Sequence, residues 1–123
     1  ILDNIKYQNK GKKVSTLPLN IAAIEILSRR FADKKSEFVF TQYGKRILPD
    51  HITKVFKKYI KASNVNPDFN FHSLRHTFAS WLVQRNVPIQ QVKELLRHSD
   101  IKTTLIYAHL KPENLREAIE LLS

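Results

Sequence analysis

Two segments decide the reading of this chain: Phe71-His72-Ser73-Leu74-Arg75-His76-Thr77 and, further on, Leu96-Arg97-His98-Ser99-Asp100 with Thr103-Thr104 and Tyr107. His72 or Ser73 starts a helix whose inward face is Leu74, Phe78, Trp81 and Leu82. His72 and Arg75 are three apart, so they leave the first turn from nearly the same side. A helix N-terminus favours anions, because its free amides and positive dipole end point outward. Arg offers forked donors, and His a further donor or a proton acceptor. His72, Arg75 and His98 are thus suited to hold a phosphate, and the phenol of Tyr107 to attack one.

Downstream, Asn86-Val87-Pro88 ends this helix and begins another at Ile89, which buries Val92, Leu95 and Leu96. Two helices joined by a tight turn resemble a helix-turn-helix. Ser99 or Asp100 caps a short helix from Ile101 to Tyr107. Lys111-Pro112-Glu113 opens the last helix, with the stripe Leu115, Ala118, Ile119 and Leu122.

Upstream, Asp50 is expected to cap an amphipathic helix. Its apolar face is Ile52, Val55, Phe56, Tyr59 and Ile60, and its opposite face Lys54, Lys57, Lys58 and Lys61. The aromatics read as core. Four lysines with no acid between them favour a phosphate-binding stripe over a merely solvated face. Ser63 to Asp68 is a loop. Earlier still, Phe38-Val39-Phe40 reads as extended and leads into a turn at Tyr43-Gly44-Lys45-Arg46. Asn20 is placed to cap a helix from Ile21, which carries Arg29 and Arg30 in its last turn. Two β-prone runs around Asn9-Lys10-Gly11 form a hairpin whose tip carries Lys10, Lys12 and Lys13. Taken alone, those lysines read as an exposed soluble turn. The fold class is therefore mainly α with a small N-terminal β-hairpin (α+β), one domain over residues 1–123.

Charge narrows the partner. Lys and Arg number 21 against 11 Asp and Glu, a net +10 over 123 residues, which favours a polyanion and most often nucleic acid. There is no Cys, which fits a reducing cytoplasm, and no apolar run long enough to span a bilayer. The chain starts at Ile1 and contains no Met, so it is expected to be part of a longer protein.

Other chemistries fit poorly. His72 and His76 have the spacing of a zinc-protease helix, but that motif needs Glu after the first His, and Ser73 stands there. No Gly-x-Ser-x-Gly occurs. Phosphoryl transfer needs neutralised nonbridging oxygens, an in-line nucleophile and a proton for the leaving oxygen. Arg75 with His72 and His98 meets the first need, Tyr107 the second, and Lys10 on its hairpin the third. The residues point to DNA strand cleavage and rejoining through Tyr107.

These residues also match a known pattern. His72-Ser-Leu-Arg-His-Thr-Phe-Ala resembles the His-x-x-Arg box of the tyrosine recombinases, the phage-integrase type. Leu95-Leu96-Arg97-His98-Ser99-Asp100, with Thr103-Thr104 and Tyr107, resembles that family's second box, and Lys10-Gly-Lys-Lys-Val-Ser-Thr-Leu-Pro-Leu its lysine hairpin. The resemblance implies a 3′-phosphotyrosine link at Tyr107, with Arg75 and His98 on the scissile phosphate. It implies His72 in proton transfer or phosphate binding, and Lys10 as general acid. It further implies site-specific recombination or integration on double-stranded DNA by a homotetramer, with no metal or other cofactor. The expected setting is a bacterial or phage-encoded protein of the cytoplasm, close to the nucleoid. Lys12, Lys13, Lys54, Lys57, Lys58 and Arg97 are the expected further DNA contacts, and His76 is expected to be structural.

Two departures stand out. Arg97 occupies the position before His98 where the family usually has Gly. The family's first catalytic arginine precedes the lysine hairpin, yet the first Arg here is Arg29. The chain by itself is therefore expected to cleave poorly and to be completed by an upstream segment and an N-terminal DNA-binding domain. The last helix can dock in cis or in trans. The competing class is a non-enzymatic basic DNA-binding module, such as a decayed recombinase kept as a regulator. An RNA-binding domain lacks its aromatic motif.

Overall fold

A computed structural model describes residues 4–8, 14–33, 36–112 and 115–122. The fold is mainly helical with small antiparallel hairpins. The chain divides into two compact units, Ile1–Val55 and Phe56–Ser123.

In the first unit, β1 (Asn4–Gln8) pairs antiparallel with β2 (Val14–Pro18), Tyr7 opposite Ser15 and Gln8 opposite Val14. The β-branched and aromatic residues of these runs favour the pleated backbone. The tip residues Lys10, Lys12 and Lys13 lie outside the described residues. Helix α1 (Ile21–Ala32) starts as expected: the Asn20 side-chain oxygen accepts from the Ala23 amide at 2.9 Å.

Phe38-Val39-Phe40 is not a strand. It is a run of bends, and the ladder begins only at β3 (Thr41–Gln42), paired with β4 (Lys45–Arg46). The two-residue loop has positive φ at both Tyr43 (52°) and Gly44 (75°), a type I′ turn whose twist suits a hairpin. The flanking phenyl rings of Phe38 and Phe40 stay exposed, each with one arginine over its face. Arg30 lies 5.8 Å from the Phe40 ring centre and Arg46 5.7 Å from that of Phe38.

Helix α2 (Pro49–Ala62) begins one residue earlier than its expected cap. The Leu48 carbonyl accepts from the amides of His51 and Ile52. Pro49 takes the first position, where no amide is needed, and Asp50 sits inside the first turn, where its charge suits the dipole. Tyr59 is 69% exposed and is not core.

In the second unit, Phe56 of α2 meets Phe71 edge to face at 5.6 Å. Helix α3 (Ser73–Gln84) starts where the sequence indicates, but its cap lies further back. Asn70 and Ser73 bond reciprocally: the Ser73 amide donates to Asn70 Oδ1 at 3.2 Å, and the Asn70 amide to Ser73 Oγ at 3.1 Å. This pair secures the backbone around His72, as a capping box does.

Two helices then end alike. After α3, Asn86 takes a left-handed φ of 60°, its amide donating to Val83 and that of Val87 to Leu82. After α4 (Ile89–Leu96), Arg97 takes φ 59°, its amide donating to Glu94 and that of His98 to Lys93. Both are Schellman closures. Helix α5 is shorter than expected, Lys102–Leu105, with the Lys102 amide on Asp100 Oδ1. Tyr107 therefore follows the helix in a turn, between the Thr104 carbonyl that its amide reaches and the Leu110 amide that its own carbonyl accepts. A 3-10 turn (Ala108–Leu110) leads on to α6 (Leu115–Glu120), whose Leu115 and Ile119, with Leu122 just beyond, are exposed.

The core is Ala79, Val83, Val92, Leu96 and Tyr107, flanked by Leu82, Val87, Ile89 and Leu110. This corrects the inward face expected for α3. Leu74, Phe78 and Trp81 are about half exposed, and the buried stripe is the smaller pair Ala79 and Val83. Small side chains there let α4 and the 3-10 turn pack close to α3.

Candidate active site

Four of the five expected catalytic side chains meet in the second unit, around the C-terminal end of α4. Arg75 leaves the first turns of α3, and its Nη2 donates to the Leu96 carbonyl, the last residue of α4. That carbonyl is at the negative end of the helix, so it orients the guanidinium without a carboxylate. A guanidinium has five N–H donors, so one bond of this kind leaves further donor capacity.

His98 follows directly on the Arg97 closure. Its Nδ1 is 2.8 Å from Oγ1 of Thr104, a fully buried hydroxyl. That contact fixes the ring and leaves its opposite nitrogen, Nε2, as the second hydrogen-bonding atom of the imidazole. Burial lowers the His98 pKa, the Arg75 charge lowers it further, and a proton on His72 or His76 would act in the same direction. A neutral imidazole is therefore the resting form near neutral pH.

Tyr107 is only 6% exposed. Burial raises its pKa, and Arg75 acts in the opposite direction. Its Oη is 2.6 Å from Nδ1 of His76. The His76 ring is tilted 50° to the phenol at 5.8 Å between centres, and it meets the His72 ring edge to face at 5.0 Å. His76, expected to be structural, thus touches the phenol oxygen directly. The sequence does carry a signal: His76 is four residues from His72 and next to Arg75. The contact itself is tertiary, across 31 positions, and no local spacing announces it. Thr104 was also missed as a partner; it lies six residues after His98 and three before Tyr107.

The remaining expected contacts divide. Lys10, Lys12 and Lys13 are outside the described residues. Lys54 and Lys58 are exposed. Lys57 is tied down by its Nζ donating to the Pro67 carbonyl at 2.8 Å, which fastens the loop before α3. Arg97 is exposed, and its left-handed backbone is the conformation for which Gly is preferred. An Arg there carries a steric cost that Gly would not.

The model of the family described as "Phage integrase family" matches residues 2–114. The chain belongs to the phage integrase family. A tyrosine recombinase of Thermosipho africanus is 33% identical over 92% of this chain and 40% of its own length. The tyrosine recombinase XerD of Staphylococcus haemolyticus is 29% identical over 95% of this chain and 43% of its own. The chain thus spans about two fifths of the length of these curated relatives. Among solved structures, XerH site-specific recombinase bound to difH substrate, a pre-cleavage complex, superposes with a TM-score of 0.74 at 26% identity, over 98% of this chain and 37% of that one. Its post-cleavage complex on palindromic difH gives 0.74 at 24%, a likeness of fold. Among the described residues, no helix is long and apolar enough to cross a membrane.

Proposed function

We propose that this chain is the catalytic part of a longer site-specific recombinase that cuts and rejoins duplex DNA through Tyr107. The observation that carries this reading is the gathering of Arg75, His72, His98 and a buried Tyr107 around one helix end. Kinship with tyrosine recombinases, and the pre- and post-cleavage DNA complexes of XerH, support the same chemistry.

In this mechanism Tyr107 Oη attacks the scissile phosphorus and the bond to the 5′ oxygen breaks, leaving a 3′-phosphotyrosine. Arg75 donates to a nonbridging oxygen while keeping its hold on Leu96. Neutral His98, steadied by Thr104, offers the Nε2 proton to the same phosphate. His72 assists at the N-terminus of α3, and Lys10 gives the departing 5′ oxygen its proton. Rejoining reverses these steps, so no cofactor enters. Lys12, Lys13, Lys54, Lys58 and Arg97 contribute charge toward the DNA backbone. Lys57 does so with the donors its bond to Pro67 leaves over. The whole protein supplies the first catalytic arginine and an N-terminal DNA-binding domain. It works as a homotetramer on two duplexes, in the cytoplasm close to the nucleoid.

The test is covalent capture. The complete recombinase is incubated with a nicked suicide duplex of its recombination site, and a protein–DNA adduct is sought. The expected result is an adduct that Tyr107→Phe abolishes while DNA binding persists. Binding without any adduct from the native protein would leave the non-enzymatic reading, a basic DNA-binding module.

A further inference from the structure

We infer that His76 is the general base that takes the proton of Tyr107 as its oxygen attacks phosphorus. The inference rests on the recombinase reading above and adds a residue to it. A phenol ordinarily holds its proton up to a pH of about 10, and a buried one holds it more firmly, so attack near neutral pH needs an acceptor touching the oxygen. Bulk water is poorly placed for that, because Tyr107 is 6% exposed. His76 Nδ1 is 2.6 Å from Oη, within the range for direct proton transfer. Since Oη keeps its proton in the resting site, Oη–H donates and Nδ1 accepts, which assigns the imidazole proton to Nε2.

The other groups of the site are less suited. Arg75 has no acceptor atom, and its charge is held toward Leu96. His98 has its Nδ1 on Thr104. His72 meets the His76 ring, not the phenol. His76 is braced between His72 and Tyr107, so its orientation does not depend on substrate.

The step balances. The O–H bond of Tyr107 breaks and its proton moves to Nδ1 of His76, while Oη bonds to phosphorus. The bond from phosphorus to the 5′ oxygen breaks, and that oxygen takes a proton from a separate acid. In rejoining, the 5′ hydroxyl attacks and gives its proton back to the separate acid's conjugate base, the phosphotyrosine bond breaks, and the His76 imidazolium returns its proton to Oη. The imidazolium forms among Arg75, His72 and His98, so the anionic phosphodiester beside Tyr107 is what offsets its charge. Base function is thereby coupled to bound DNA.

The experiment measures the rate of adduct formation on the suicide duplex for the complete native recombinase and its His76→Ala and His76→Gln variants. Rescue of His76→Ala is tried with imidazoles of graded basicity. Gln fills most of the space and accepts a hydrogen bond from the phenol, but it does not take up a proton. The expected result is a loss of about 100-fold or more in both variants, with DNA affinity unchanged. Added imidazole restores His76→Ala, faster with the stronger bases. A His76→Gln rate within about threefold of native overturns the inference and leaves His76 a positioning hydrogen bond. That variant also decides the matter if His76→Ala does not fold. A native protein that forms no adduct defeats the recombinase reading itself, a different outcome.

Discussion

Along α3, Ala79 and Val83 are closed off from solvent, whereas the bulkier Leu74, Phe78 and Trp81 stay about half exposed. Size alone would reverse that assignment. Arg75, Ala79 and Val83 are spaced by four and form one stripe, with the guanidinium at its upper end. The packed side of α3 is therefore also the side from which Arg75 reaches α4. Ala79 keeps it thin enough for Leu96 to come up to Arg75 and Tyr107 to His76. On this helix, burial serves placement of the site more than it serves removal of apolar area.

That contrast can be broken most strongly at Leu96. Truncating this 2% exposed side chain to Ala should cost about 2–5 kcal/mol of stability in denaturant titration. Trp81→Ala, at a residue 58% exposed, should cost less than about 1.5 kcal/mol despite the larger deletion. Equal losses would undo the comparison. Next comes Ala79→Leu, expected to destabilise by about 1–3 kcal/mol through overpacking. It should also slow adduct formation by spreading His76 from Tyr107, whereas Phe78→Leu on the other face should leave the rate unchanged.

A smaller effect of opposite sign is expected where the stripe's partner helix ends. Arg97→Gly should raise stability by about 0.5–1 kcal/mol, because Gly takes φ 59° without a Cβ penalty. Asn86 stands in the same conformation but bears a residue that tolerates it, so Asn86→Gly should gain less. The smallest signal is a pH slope. Folding lowers the His98 pKa, so between that value and the ordinary 6.5 the unfolded chain binds more protons than the folded one. Stability from this source is complete above about pH 6.5 and declines as pH falls through the window. His98→Gln should flatten that part of the stability–pH curve.

What was legible in the sequence was local. Asn20 capped α1, Asn86-Val87-Pro88 divided α3 from α4, and the β1–β2 hairpin paired, because each depends on residues within a few positions. The sequence also singled out His72, Arg75 and His98 as groups suited to a phosphate ahead of the phenol of Tyr107, and the fold brings these four side chains together. What failed was tertiary or competitive. Periodicity favoured the largest apolar residues of α3 and could not register that a close helix approach needs small ones. Pro49 displaced Asp50 as the start of α2, and Asn70 with Ser73 took over the capping of α3. The reach of His76 to Tyr107 spans two helices and a turn.

The bond from Arg75 to the Leu96 carbonyl has one more consequence. An arginine steadied by Asp or Glu arrives at its ligand already neutralised, and an incoming anion must compete with that carboxylate. Steadied by a neutral carbonyl, Arg75 is held in place with its full positive charge intact. The site is an aimed cation that waits for its counter-ion, the part a DNA phosphate plays in the mechanism proposed above.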